Sequence, residues 1–102
     1  MEYDVYLSEA VKAWIVTIKD KTTQARISRR IDQLERGLFG DRKSIGDGVY
    51  ELRLDFGPGY RVYYAIDGLK KIVLLGGSDK SSQSKATEQA KRFWDEYRSA
   101  ID

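Results

Sequence analysis

Glu51, Arg53 and Asp55 alternate along one short segment, and Arg61 and Tyr63 continue the alternation after a tight turn. Spacing of two places all five on one face if the segment is a β-hairpin. Two guanidiniums beside carboxylates and a phenol make a candidate phosphate-binding and acid/base surface, because arginine offers paired, permanently charged donors to phosphate oxygens. The same pattern also describes the solvent side of an ordinary antiparallel sheet, whose charged cross-strand pairs contribute little each. The spacing establishes a two-faced sheet and leaves its charged side as either a site or a solvated surface. The chain has no histidine and no cysteine, so proton transfer would fall to carboxylate, lysine, tyrosine or arginine-assisted water. Disulfides and thiolate metal sites are excluded, and a zinc enzyme is disfavoured.

The hairpin that must position these groups spans residues 48–64. Leu52, Leu54 and Phe56 supply its apolar face, which Val62, Tyr64 and Ile66 resume after Gly57-Pro58-Gly59. A three-residue loop with Phe56 paired to Tyr60 would set Asp55 opposite Arg61 and Arg53 opposite Tyr63. Before the hairpin, residues 3–7 read as a strand and Ser8 as the N-cap of a helix over 9–19 carrying Val11, Trp14, Ile15 and Ile18 on its buried side. Thr22 or Thr23 caps a second helix that runs to Arg36, with Ile27, Ile31 and Leu34 as its apolar stripe and Gly37 as its terminator. Arg26, Arg29, Arg30 and Arg36 must face away from that stripe, as a nucleic-acid surface or as a solvated helix face. Residues 37–48 read as a charged, glycine-rich loop containing Arg42 and Lys43. Asp67-Gly68 makes the next turn, residues 71–75 a central strand, 76–83 a polar segment, and 84–98 a last helix with Ala86, Ala90, Phe93, Trp94 and Tyr97 on its apolar side.

This order (βααβββα) implies an α+β fold: a curved, mostly antiparallel sheet with two helices packed on one face and a C-terminal helix. The 102 residues suffice for a single domain, and 41% hydrophobic residues support a folded globule. Two adjacent helices cover one sheet face, so the opposite, charged face stays open unless a partner covers it, and the last helix folds back on the domain or docks a partner. No segment is apolar enough to cross a bilayer and the N-terminus does not resemble a signal peptide, which points to a cytoplasmic protein without a membrane partner. The net charge of +2 is small, but the basic residues are clustered.

Thr23-Gln24-Ala25-Arg26-Ile27, Gly40-Asp41-Arg42-Lys43, the run Glu51 to Tyr64 and Leu75-Gly76-Gly77-Ser78-Asp79-Lys80-Ser81-Ser82-Gln83 together resemble toxins of bacterial toxin–antitoxin modules. The resemblance is to the RelE/ParE superfamily, in its HigB-like branch of addiction-module killer proteins, and covers nearly the whole chain. It implies an mRNA interferase that cuts codons in the ribosomal A site without metal or cofactor. Its partners would be mRNA, the ribosome and a cognate HigA-like helix-turn-helix antitoxin. By the same resemblance Arg53 and Arg61 fall on positions that contact the scissile phosphate, Lys80 lies in a segment supplying catalytic groups, and Glu51 is a candidate base. Lys43, Arg42, Tyr63, Arg26, Arg29 and Arg30 are candidate RNA or ribosome contacts, Tyr63 by stacking on a base. Several relatives carry a histidine or tyrosine near the C-terminus as general acid; this chain has no histidine, and its Tyr97 falls on the apolar side of the last helix. Two other outcomes are a ParE-like inhibitor of DNA gyrase without enzymatic activity and an inactive phage-derived remnant.

Overall fold

Ser8 closes one element and opens the next. Its backbone is extended and its hydroxyl accepts a hydrogen bond from the Val11 amide, so strand β1 (Asp4–Leu7) passes directly into helix α1 (Glu9–Thr17). The structure, a computed structural model, describes residues 2–101. Helix α2 (Lys21–Glu35) begins earlier than expected, because Asp20 and not a threonine is its cap. The Asp20 carboxylate accepts from the Thr22 amide and the Thr23 hydroxyl, and the Thr23 bond above all holds its carboxyl below the ordinary range. An anion at the positive end of a helix is a better cap than a hydroxyl. Gly37 follows the C-cap Arg36 and donates to the Leu34 carbonyl, as expected.

Four further strands follow: β2 (Arg42–Gly46), β3 (Val49–Leu54), β4 (Tyr60–Asp67) and β5 (Lys71–Ser78). A 3₁₀ turn (Lys80–Ser82) leads into helix α3 (Gln83–Ile101). The sheet order is β1-β5-β4-β3-β2, with β1 parallel to β5 and every other pair antiparallel. The α+β class read from the sequence holds, with one strand more. β2 occupies part of the expected loop, and its residues gave no alternating apolar signal because none of them is buried. A short, charged strand of this kind is how sheet edges avoid pairing with other chains.

The hairpin register differs from the expected one. Leu54 pairs with Tyr60, so Arg53 lies opposite Arg61 and Glu51 opposite Tyr63. Asp55 leaves the ladder and is exposed. Gly57 and Gly59 both have positive φ, and the Gly59 amide donates to the Phe56 carbonyl, which turns Phe56 out of the strand. Its ring then packs against Tyr60 instead of extending the alternation.

Both faces of the sheet are packed. α1 and α2 cover one with Val11, Ile18, Ile27, Ile31 and Leu34 against Leu52, Leu54, Val62, Tyr64, Ile72 and Leu74. α3 folds back over the other, laying Ala90 and Trp94 against Val49, Tyr63, Ala65, Val73 and Leu75. The face expected to be open is therefore covered along much of its length, and only the end near the β3–β4 turn remains free. Gly77 fixes how closely α1 approaches β5, since a Cβ there would enter the Trp14 ring. Gly77→Ala should destabilise the fold by about 1–3 kcal/mol through overpacking. In urea unfolding, adding Trp14→Leu to that variant should recover part of the loss.

Candidate functional site

At the uncovered end of the sheet Arg53 and Arg61 face each other across the β3–β4 ladder. Like charges directly opposed destabilise a sheet, and here a buried carboxylate offsets them. Glu51 is 1% exposed. Its Oε1 lies 3.8 Å from Arg53 Nε and 3.6 Å from Arg61 Nε, and its Oε2 accepts a 2.7 Å hydrogen bond from Gln83 at the start of α3. The two Nε contacts are ionic and longer than hydrogen bonds, so both Nε atoms are buried without a hydrogen-bond partner among the described residues. The single hydrogen bond that Arg61 makes there runs from Nη1 to the Tyr60 carbonyl. Arg53 also approaches Asp41, 3.9 Å away. Two guanidiniums are thus held in place by charge, with most of their donors unspent.

Lys80 borders the same end. Its amide donates to the Pro58 carbonyl, and its stem flanks Gly59 beside Arg61 Nη1. Asp79 holds this segment by accepting from the amides and hydroxyls of Ser81 and Ser82. The Ser81 hydroxyl does most to keep the Asp79 carboxyl below its ordinary range. Lys43 stands opposite Glu51 on β2 and is exposed on the same face. Arg53, Arg61, Lys80 and Lys43 therefore form a cationic surface against the two carboxylates of Glu51 and Asp41. Among the described residues no cluster of His, Cys, Asp or Glu is placed to hold a metal ion.

The other expected site residues lie elsewhere or are buried. Arg42 pairs with Leu52 and so points to the opposite sheet face, where its guanidinium covers Phe39 and Tyr50 and donates to the Tyr64 hydroxyl. That bond raises the Arg42 pKa further, while burial pushes the Tyr64 phenol up. Tyr63 is fully buried under α3, its hydroxyl bonded to Ser78, and burial raises its pKa. It is a floor for the site and has no free ring face for a base. Glu51, the candidate base, is buried beneath the arginines and in ionic contact with both. Arg26, Arg29 and Arg30 gather on α2 around the corner from Arg53, where they line a cavity with it.

Gln83, Asp41 and Asp79 belong to the site and were not singled out from the sequence. A signal existed for Asp79, since an aspartate followed by serines two and three residues on is an N-capping pattern. Nothing local announces that Gln83 meets Glu51, 32 residues away.

The architecture is that of the RelE toxins. A substituted form of the Escherichia coli toxin RelE in the free state matches with a TM-score of 0.72 at 18% identity, over 90% of this chain and 97% of that one. A chain of the Mycobacterium tuberculosis toxin–antitoxin complex RelBE2 matches with a TM-score of 0.64 at 19% identity, over 78% of this chain and 100% of that one. At such identities the likeness is one of fold. By sequence, residues 13–93 match the phage-derived Gp49-like family (DUF891), and the chain belongs to that family. A Haemophilus influenzae protein described as uncharacterized is 46% identical over 79 residues, which span 78% of this chain and 80% of that protein.

Removing the charge beneath the arginines should show what holds them. Glu51→Gln should lower stability by about 1–3 kcal/mol, the cost of leaving buried polar groups uncompensated. Added inorganic phosphate should raise the thermal midpoint of this variant more than that of the parent, because the anion replaces the missing charge. Equal shifts would mean that the two guanidiniums do not share an anion site.

Proposed function

We propose that this chain is the toxin of a toxin–antitoxin module and that it cuts mRNA on the translating ribosome. The observation that carries the reading is the pair Arg53 and Arg61, opposed at the uncovered end of the sheet with donors free and a buried Glu51 between them. Such a pair suits a phosphodiester, whose charge grows as a 2′-oxygen attacks phosphorus. In that step the 2′-hydroxyl proton passes to water, the 2′-oxygen bonds to phosphorus and the bond to the 5′-oxygen breaks. Lys80 gives the departing oxygen its proton, leaving a cyclic phosphate and a 5′-hydroxyl. Arg53 and Arg61 neutralise the phosphorane, and Lys43 steers the strand along the β2 edge. Neither step calls for a histidine. The likeness in fold to toxins supports the reading, and the uncovered basic end suits shielding by a cognate antitoxin, which the resemblance to toxin–antitoxin modules gives as HigA-like with a helix-turn-helix. No described helix is long and apolar enough to cross a membrane.

Expression of the chain should arrest growth, and Arg61→Ala should relieve the arrest while the protein stays folded. Loss of one such donor lowers a cleavage rate by about 10²–10³-fold. A folded Arg61→Ala protein of full toxicity would contradict the assignment. Arrest accompanied by loss of gyrase supercoiling would replace it with a gyrase inhibitor, and no arrest at all with an inactive remnant.

A further inference from the structure

Beside the candidate site, α2 and the β3–β4 turn flank an open cavity of about 270 Å³ whose walls include Arg26, Arg29, Arg30 and Arg53. Among the described residues no carboxylate lies within ion-pair distance of Arg26, Arg29 or Arg30. Asp55 also lines the cavity but reaches none of them. Arg53 has Glu51 and Asp41 beside it, but Arg26, Arg29 and Arg30 converge without an ion pair of their own, and a ligand of opposite charge would relieve their repulsion.

The cavity is also built rather than incidental. The Arg26 guanidinium lies over the Phe56 ring, 3.8 Å from its centre, which fixes its plane. Phe56 occupies that place because the β3–β4 turn carries it out of the strand, as described above. Arg30 is half-buried and anchored by donating to the carbonyls of Leu38 and Phe39 and to Gln33. Arg29 is exposed and has no hydrogen bond or ion pair to the protein among the described residues, so its donors are free. Arg53 belongs to both places, touching Glu51 on the sheet face and lining the cavity at the sheet's end.

We propose that this cavity binds a second backbone phosphate of the RNA strand, neighbouring the phosphate held by Arg53 and Arg61. The proposal rests on the RNA-cleavage reading and gives it a direction: the strand runs from the Lys43 edge, across Arg53 and Arg61, and round the end of β3 onto α2. Planar guanidiniums with free donors match phosphate oxygens two at a time. The continuity through Arg53 favours one polyanionic strand over an acidic protein segment bound separately.

The test is fluorescence anisotropy with a labelled single-stranded RNA made uncleavable by 2′-O-methyl groups, titrated at several salt concentrations. Each phosphate contact to a single strand contributes about 0.7 to the slope of log K against log salt. Arg26→Gln with Arg29→Gln should bind about tenfold more weakly and lose about 0.7 of that slope. Arg26→Lys with Arg29→Lys should keep the slope, since the point charges remain. Should Arg26→Gln unfold the chain by stripping Phe56 of its cover, Arg29→Gln alone carries the test. Unchanged slope and affinity in a variant that still cleaves mRNA would overturn the second phosphate and leave the cleavage reading intact. Unchanged RNA binding with weakened binding of a polyglutamate peptide would assign the cavity to an acidic protein segment instead. Absence of RNA binding by the parent chain would overturn this proposal and leave cleavage on the ribosome to be decided by primer extension.

Discussion

The site depends on one carboxylate. Glu51 is buried under two arginines that the β3–β4 register forces into opposition, and its charge makes their proximity tolerable. Arg53, Arg61, Lys43 and Lys80 against Glu51 and Asp41 leave a net positive site. Ion contacts of 3.6 and 3.8 Å restrain the guanidiniums without occupying their donors. A closer, bidentate pair would be stiffer and would leave fewer donors for a ligand. The same carboxylate ties the hairpin to α3 through Gln83, so the helix start and the arginines are fixed together.

The rest of the fold serves that arrangement. α3 covers the sheet as far as Gln83 and no farther, burying Tyr63 and Val49 but leaving Arg53 and Lys43 accessible. The 3₁₀ turn ahead of it is capped by Asp79 and carries Lys80 to the β3–β4 turn, where Lys80 bonds to Pro58. On the other face, α1 and α2 supply the core, and Gly77 admits Trp14 against the sheet. A site made of strand residues on such a support is held more firmly than one made of loops.

Much of this was legible in the residues. The alternation across Glu51–Asp55 and Arg61–Tyr63 gave the two faces of the hairpin, and the helical stripes of Ile27, Ile31 and Leu34 and of Ala90 and Trp94 gave α2 and α3. The order of elements gave the α+β class. What escaped depended on contacts distant in sequence. The register slipped by two because Gly57 and Gly59 let Phe56 rotate away to meet Arg26, a choice made by tertiary packing. β2 carries no apolar alternation because it is an edge strand, so its pairing, and with it the placing of Lys43 on the Glu51 face and Arg42 on the opposite one, could not be read locally. Tyr63 reads as a site residue by spacing, and its burial follows only from where α3 lies.

The central claim is that the opposed arginines act on RNA, and the most direct measurement is the mapping of mRNA 5′ ends by primer extension in a cell-free translation reaction. Purified protein is added to translating ribosomes and, in parallel, to the same RNA without them. The account expects new 5′ ends within codons only where ribosomes are translating, and their loss when Arg53 or Arg61 is replaced by alanine. Continued translation without new 5′ ends, from a folded protein, would contradict it.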